Sequence, residues 1–179
     1  MSLTLRPALS RPDLLAKPVA AALGRWPAEI ADQVEVAEID PELADTAAFC
    51  KHYEIPPEES ANCVIIAARR GHDTTFAACL VTAVTRADVN GVIRHRLGAR
   101  KASFAPVDDV LAATGMEYGG ITPIGLPPGW PVLADSGVVR QPHVVIGSGI
   151  RGSKLLLPGQ LLASLPGAEV IDGLGTPAP

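Results

Sequence analysis

The chain has 179 residues, 47% hydrophobic and 19% charged, and its 15 Lys+Arg against 19 Asp+Glu leave a formal net charge of -4. That size and apolar content suit one globular domain with a substantial core, and no run approaches the roughly 18 apolar residues of a membrane span. The acidic balance excludes a protein that grips a long stretch of nucleic acid, because such affinity rests on a basic surface; any contact of that kind is expected to be small and local.

Residues 1 to 33 carry Pro7, Pro12, Pro18 and Pro27 among Leu14, Leu15, Val19, Ala22 and Leu23, a pattern that predicts an appended N-terminal helical arm. The N-terminus lacks a charged start followed by an apolar stretch and a cleavage site, so a soluble, cytoplasmic protein is expected. From 34 to 39 the alternation of Val34-Glu35-Val36-Ala37-Glu38-Ile39 predicts a half-buried strand, and Asp40-Pro41-Glu42 then opens a helix reaching about Tyr53. Two apolar runs, 62–68 and 77–84, flank Arg69-Arg70-Gly71-His72-Asp73 and predict two central strands joined as a hairpin.

Val89, Val92, Ile93, Arg96 and Leu97 recur at helical spacing until Gly98, with the arginines and His95 on a solvated face. A short strand is expected over 100–105. A well-marked helix follows from Pro106 to Thr114, with proline and acids in its first turn and Gly115 past its end. Strands are expected over 130–135, 143–149, 154–157 and 168–171, with a short helix over 158–165 and a flexible tail over 174–179. The order mixes hairpins with single helices, which predicts an α/β domain built on a curved, barrel-like mixed sheet.

Cys50, Cys63 and Cys79 are widely spaced, no C-x-x-C pair occurs, and the four histidines are scattered, so neither a disulfide framework nor a metal site is expected, and no cofactor. The richest segment is Gly115-Met116-Glu117-Tyr118-Gly119-Gly120-Ile121-Thr122-Pro123. Two adjacent glycines permit positive φ and close approach of another group, while Pro123 pushes Thr122 toward extended geometry. Such a loop can present bare amides to a ligand.

The helix ending in Thr114-Gly115, the Gly119-Gly120-Ile121-Thr122-Pro123 loop, the strand running into Asp135, the Gly147-Ser148-Gly149 turn and the closing Leu155-Leu156-Leu157-Pro158-Gly159-Gln160-Leu161-Leu162 together resemble the YbaK/EbsC family of prolyl-tRNA synthetase-associated editing domains. The resemblance spans about residues 35 to 172, so the editing domain is set at 34–173. It implies a free-standing deacylase that hydrolyses the ester between a wrong amino acid and the terminal adenosine of tRNA. The implied partners are the acceptor end of an aminoacyl-tRNA and a synthetase. A separate hydrolytic check is useful because a missing methylene is worth only about 1–3 kcal/mol in a binding pocket.

In the family the G-x-x-x-P loop, here Gly119 through Pro123, bounds the aminoacyl pocket and positions the ester. Amides of Gly119 and Gly120 are then the candidate donors to the oxyanion, and Ile121, Thr122 and Pro123 candidate pocket residues. Gly147 and Ser148 fall in the family's turn, where the serine hydrogen-bonds substrate, and Asp135 falls where the family has an acid, although an aspartate before Ser136-Gly137 also bonds local amides.

The family usually carries a lysine at the start of the first long central strand, and the matching position here is Asn62. Asparagine keeps two N–H donors and loses the charge. Losing only the charge costs about 1–2 kcal/mol, or roughly ten- to thirtyfold in rate. Arg70 cannot substitute, since eight strand residues place it roughly 26 Å away. Two functions follow from this departure: an editing hydrolase positioned by Asn62, the glycine loop and Ser148, or a non-catalytic module of the same fold that binds an aminoacyl group, tRNA or a synthetase.

Overall fold

The computed structural model describes residues 2–177. The chain opens with a two-residue strand, β1 (Arg6–Pro7), two 3-10 turns, and the short helices α1 (Lys17–Leu23) and α2 (Ala28–Ala31). Pro18 sits in the first turn of α1, where its missing N–H costs nothing. These helices, expected as an arm, lie in the main core: Val19 and Leu23 have no exposed surface and share one apolar cluster with Ile146 and Leu155.

Strand β2 (Glu35–Glu38) is followed by a 3-10 turn and then α3 (Thr46–Tyr53). One continuous helix was expected from Asp40. The helix instead restarts at Asp45, whose carboxylate accepts from the amides of Ala47 and Ala48 and so caps a new first turn. Strands β3 (Ala61–Arg70) and β4 (Asp73–Thr82) form the expected hairpin, turned at Gly71 with φ 65°. After β5 (Thr85–Ala87), the helix expected over 89–97 is divided. Asp88 takes the amides of Gly91 and Val92, Gly91 leaves helical geometry, and a π-turn (Val89–Ile93) precedes the single turn α4 (Arg94–Arg96).

Strand β6 (Lys101–Phe104) leads to α5 (Val107–Thr114), which ends at Gly115 with φ 66°. The remainder comprises β7 (Val132–Asp135), α6 (Ser136–Val139), β8 (Val144–Gly147), β9 (Ser153–Leu157), a 3-10 helix (Gly159–Ser164), β10 (Ala168–Ile171) and β11 (Gly175–Pro177). Residues 175–177, expected within a flexible tail, pair antiparallel with β5; Ala178 and Pro179 of that tail lie outside the described residues.

The strands form sheets ordered β1-β2-β9-β8, β10-β7-β4-β3-β6 and β11-β5. The second is mixed, with β7 parallel to both β4 and β10. The architecture is therefore mixed α/β, as expected, but the barrel-like closure is corrected: among the described residues the sheets remain separate. The reason lies at one edge. Strand β6 covers only Ile66 to Arg69 of β3, and the preceding stretch of that edge meets β8 through a single bridge, Ser60 to Val145, instead of a ladder. The uncovered start of β3 and the end of β8 diverge, and a cavity opens between them.

Candidate active site

A cavity of about 950 Å³ lies at that divergence, lined by the start of β3, the end of β8, the start of α3 and the glycine loop. The bridge from Ser60 to Val145 is parallel and isolated, and beyond it Gly147 pairs in register with Lys154 of β9. Residues aligned across neighbouring strands share a face. Gly147 and Lys154 therefore share a face, and both line the cavity together with Asn62. Asn62 is half-buried, and its side-chain oxygen accepts the Thr46 hydroxyl at 2.6 Å, which leaves its NH₂ group for the cavity.

Glycine packing locks the loop onto the turn after β8. A Cβ on Gly120 would sit 2.5 Å from the Ile150 carbonyl oxygen, and one on Gly147 would sit 2.4 Å from the Gly120 oxygen. Gly149 then donates its amide to that same Gly120 oxygen at 2.7 Å. Only glycine tolerates such approach. The expected roles of the two loop glycines therefore separate. Gly119, at φ 86°, lines the cavity, whereas Gly120 is buried beneath Ile150 and its amide donates to Glu117. Gly119 and Ile121 both line the cavity, and neither amide makes a hydrogen bond within the described residues.

Lys154, which sequence reasoning treated only as the start of a strand, is 9% exposed and is the one charged residue among the buried positions described. Its ammonium donates to the carbonyl oxygens of Ala44 at 3.2 Å and Gly119 at 3.5 Å and lies 5.5 Å from the centre of the Phe49 ring. Burial pushes its pKa down, Cys50 and Asp45 act in the opposite direction, and Arg151 adds to the depression. The Cys50 thiol is itself pushed up, chiefly by burial, so it remains neutral and does not compensate the ammonium. Arg151 stands at the rim with its guanidinium against Gly119 and its amide held by Glu117 at 2.7 Å.

The other expected site residues are placed elsewhere. Ser148 is fully buried, and its hydroxyl is engaged with the Ser153 hydroxyl at 2.7 Å and with backbone. Asp135 caps α6 through the Gly137 amide and also accepts from Gly175, tying β7 to the C-terminal strand. Thr122 has no exposed surface, and Pro123 lines a separate apolar groove beside Trp26 and Trp130. The loop from Gly119 to Pro123 is thus a partition, with its first half on the polar cavity and its last residue on the apolar groove. Cys63 lines the cavity, but burial raises its pKa far above the ordinary thiol range, so it offers no thiolate. Two aromatic side chains stand exposed at the mouth, Phe104 at 62% and Tyr118 at 65%.

The aminoacyl-tRNA editing domain family matches residues 40–165, a span that contains Asn62, the glycine loop and Lys154. The chain belongs to that family. No curated protein matches this sequence. Among solved structures, a candidate trans-editing enzyme for prolyl-tRNA synthetase superposes with a TM-score of 0.73 at 20% identity, covering 88% of this chain and 94% of that one. A scaffold protein used in computational grafting of linear epitopes gives 0.73 at 21% identity over 88% and 95%. A candidate signal-transduction protein of Marinobacter aquaeolei VT8 gives 0.58 at 18% identity, covering 87% of this chain but 30% of that one. At these identities the likeness shows the editing-domain fold.

Proposed function

We propose that this editing domain is a trans-acting aminoacyl-tRNA deacylase that hydrolyses the ester of a mischarged small amino acid. The observation that carries the reading is the pair of hydrogen-bond-free amides at Gly119 and Ile121, on the wall of a polar cavity whose other donors include the Asn62 amide and the Lys154 ammonium. Ester hydrolysis concentrates negative charge on the carbonyl oxygen, and preorganised donors aimed there are usually the largest single contribution to catalysis. In the reaction water adds to the acyl carbon and the bond to the ribose oxygen breaks. The hydroxyl of water ends on the acyl carbon and its proton on the ribose oxygen. A terminal adenosine also suits the mouth, because exposed aromatic rings such as Tyr118 and Phe104 offer a face on which a base stacks. Net charge of -4 fits a protein that needs only the acceptor end.

The departure at Asn62 supports one competing reading, a module that binds the aminoacyl end, tRNA or a synthetase without turnover. Both are tested by incubating the protein with tRNAs charged with alanine, cysteine, serine and proline. Release of the amino acid above the spontaneous rate is the expected outcome. Retention of the charged tRNA on the protein without release would replace the enzyme with the binding module.

A further inference from the structure

We propose that Lys154 is the cation of this site and contacts the substrate directly, donating to the carbonyl oxygen of the aminoacyl ester beside Gly119. The inference rests on the deacylase reading and adds to it the residue that supplies positive charge.

The argument begins with what the fold tolerates. A buried ammonium is unfavourable unless a carboxylate compensates it, and Lys154 forms no ion pair with the described residues. Its nearest neighbours are two carbonyl oxygens, an aromatic face and the neutral Cys50 thiol, with Asp45 and Arg151 acting on it from beyond ion-pair distance and in opposite directions. An ammonium has three N–H donors, and the two carbonyls take two of them. The third remains, and the residue lines the cavity. A buried charge without an ion pair, held at a cavity wall beside free backbone amides, is the arrangement expected where negative charge appears during reaction.

Its position selects which negative charge. The side chain reaches in under Gly119, whereas Arg86 and Arg151 stand farther out along the cavity wall and are more accessible. A backbone phosphate stays at the mouth with those arginines; the ester carbonyl is the part of the substrate that must pass inward beside Gly119. The space above Gly147 is filled by the carbonyl oxygens of Gly120 and Ile121, so the ester carbonyl meets the ammonium at the cavity wall beside Gly119.

The test compares native protein, Lys154→Met, and Lys154→Met combined with Asn62→Lys, using tRNAs charged with alanine, cysteine, serine and proline, with thermal unfolding recorded for each. Lys154→Met is expected to lower turnover at least a hundredfold, while its melting temperature stays level or rises because a buried charge has been replaced by an apolar chain of similar length. Adding Asn62→Lys is expected to restore at least tenfold of that loss, since it places an ammonium on the wall of the same cavity. A Lys154→Met protein as active as native overturns the inference and leaves the deacylase reading standing. A clear fall in melting temperature on Lys154→Met makes the lysine a structural tether and overturns it as well. Failure of Asn62→Lys to restore any turnover overturns the reading that a cation on this cavity wall is what the reaction needs. Native protein inactive on every charged tRNA overturns the deacylase reading and this inference together.

Discussion

The Thr46 hydroxyl donates to the Asn62 side-chain oxygen at 2.6 Å, so the first turn of α3 fixes which end of the asparagine amide faces the cavity. Asn62→Ala is expected to lower kcat/KM about tenfold, the cost of about one neutral hydrogen bond to the transition state. Thr46→Val frees the amide to rotate and is expected to cost about threefold. The two effects are not additive, because Thr46 acts only through Asn62. The double variant should match Asn62→Ala in single-turnover deacylation, and a fully multiplicative loss would place the threonine in contact with substrate instead.

Gly120→Ala separates packing from exposure. The added methyl would meet the Ile150 carbonyl oxygen at 2.5 Å, a backbone contact that cannot swing aside. Overpacking of this kind costs about 1–3 kcal/mol and moves the loop off the turn it rests on. Both melting temperature and turnover should fall. Gly115→Ala is the control: nothing lies within 4 Å of its Cβ, and only the φ of 66° is strained. It should lose about 1 kcal/mol of stability with turnover unchanged.

Much of the fold is legible in local chemistry, and the failures have physical causes. Helix α5 carries its own start and stop in Pro106 and Gly115, and the β3–β4 hairpin is announced by two apolar runs around Gly71. The helix over 41–53 reads as continuous because apolar spacing continues through Asp45, whose carboxylate instead caps a new turn, and the helix over 89–97 because that spacing does not mark Gly91, which leaves helical geometry. Strands β1, β5 and β11 have two or three residues each and exist only through their partners. In the site, the glycine loop was visible, but which glycine faces the cavity depends on Ile150, 30 positions away. Lys154 escaped because a lysine opening an apolar strand normally points to solvent. Its register with Gly147 and the carbonyls of Ala44 and Gly119 hold it inward. Ser148 looked available because nothing local reveals that Ser153 occupies its hydroxyl.

Tyr118 is 65% exposed at the cavity mouth, more than a large aromatic side chain gains from remaining in water. Stacking of one base on an aromatic face is worth about 1–3 kcal/mol by alanine substitution. Tyr118→Ala should therefore raise KM by about tenfold with kcat little changed, and Tyr118→Phe should behave as native. An equal loss in kcat would instead assign the phenol to the chemistry.

A buried ammonium without an ion pair also gives the protein a pH signature. Burial holds the Lys154 pKa in the folded protein below its ordinary value of 10.5, against the weaker opposing pull of Cys50 and Asp45 and in concert with Arg151. Between the two values the unfolded chain binds more protons than the folded one, so this group's contribution to stability rises as pH climbs from the folded value toward 10.5 and is flat below it. Catalysis runs the other way: the ammonium is the active form, so enzyme-dependent deacylation should fall as pH rises through that same depressed pKa, while spontaneous ester hydrolysis accelerates. Denaturant unfolding and deacylation measured across the alkaline range should show these opposite trends in native protein. Both should vanish in Lys154→Met; a deacylation profile that keeps its alkaline fall in that variant would assign the titration to another group.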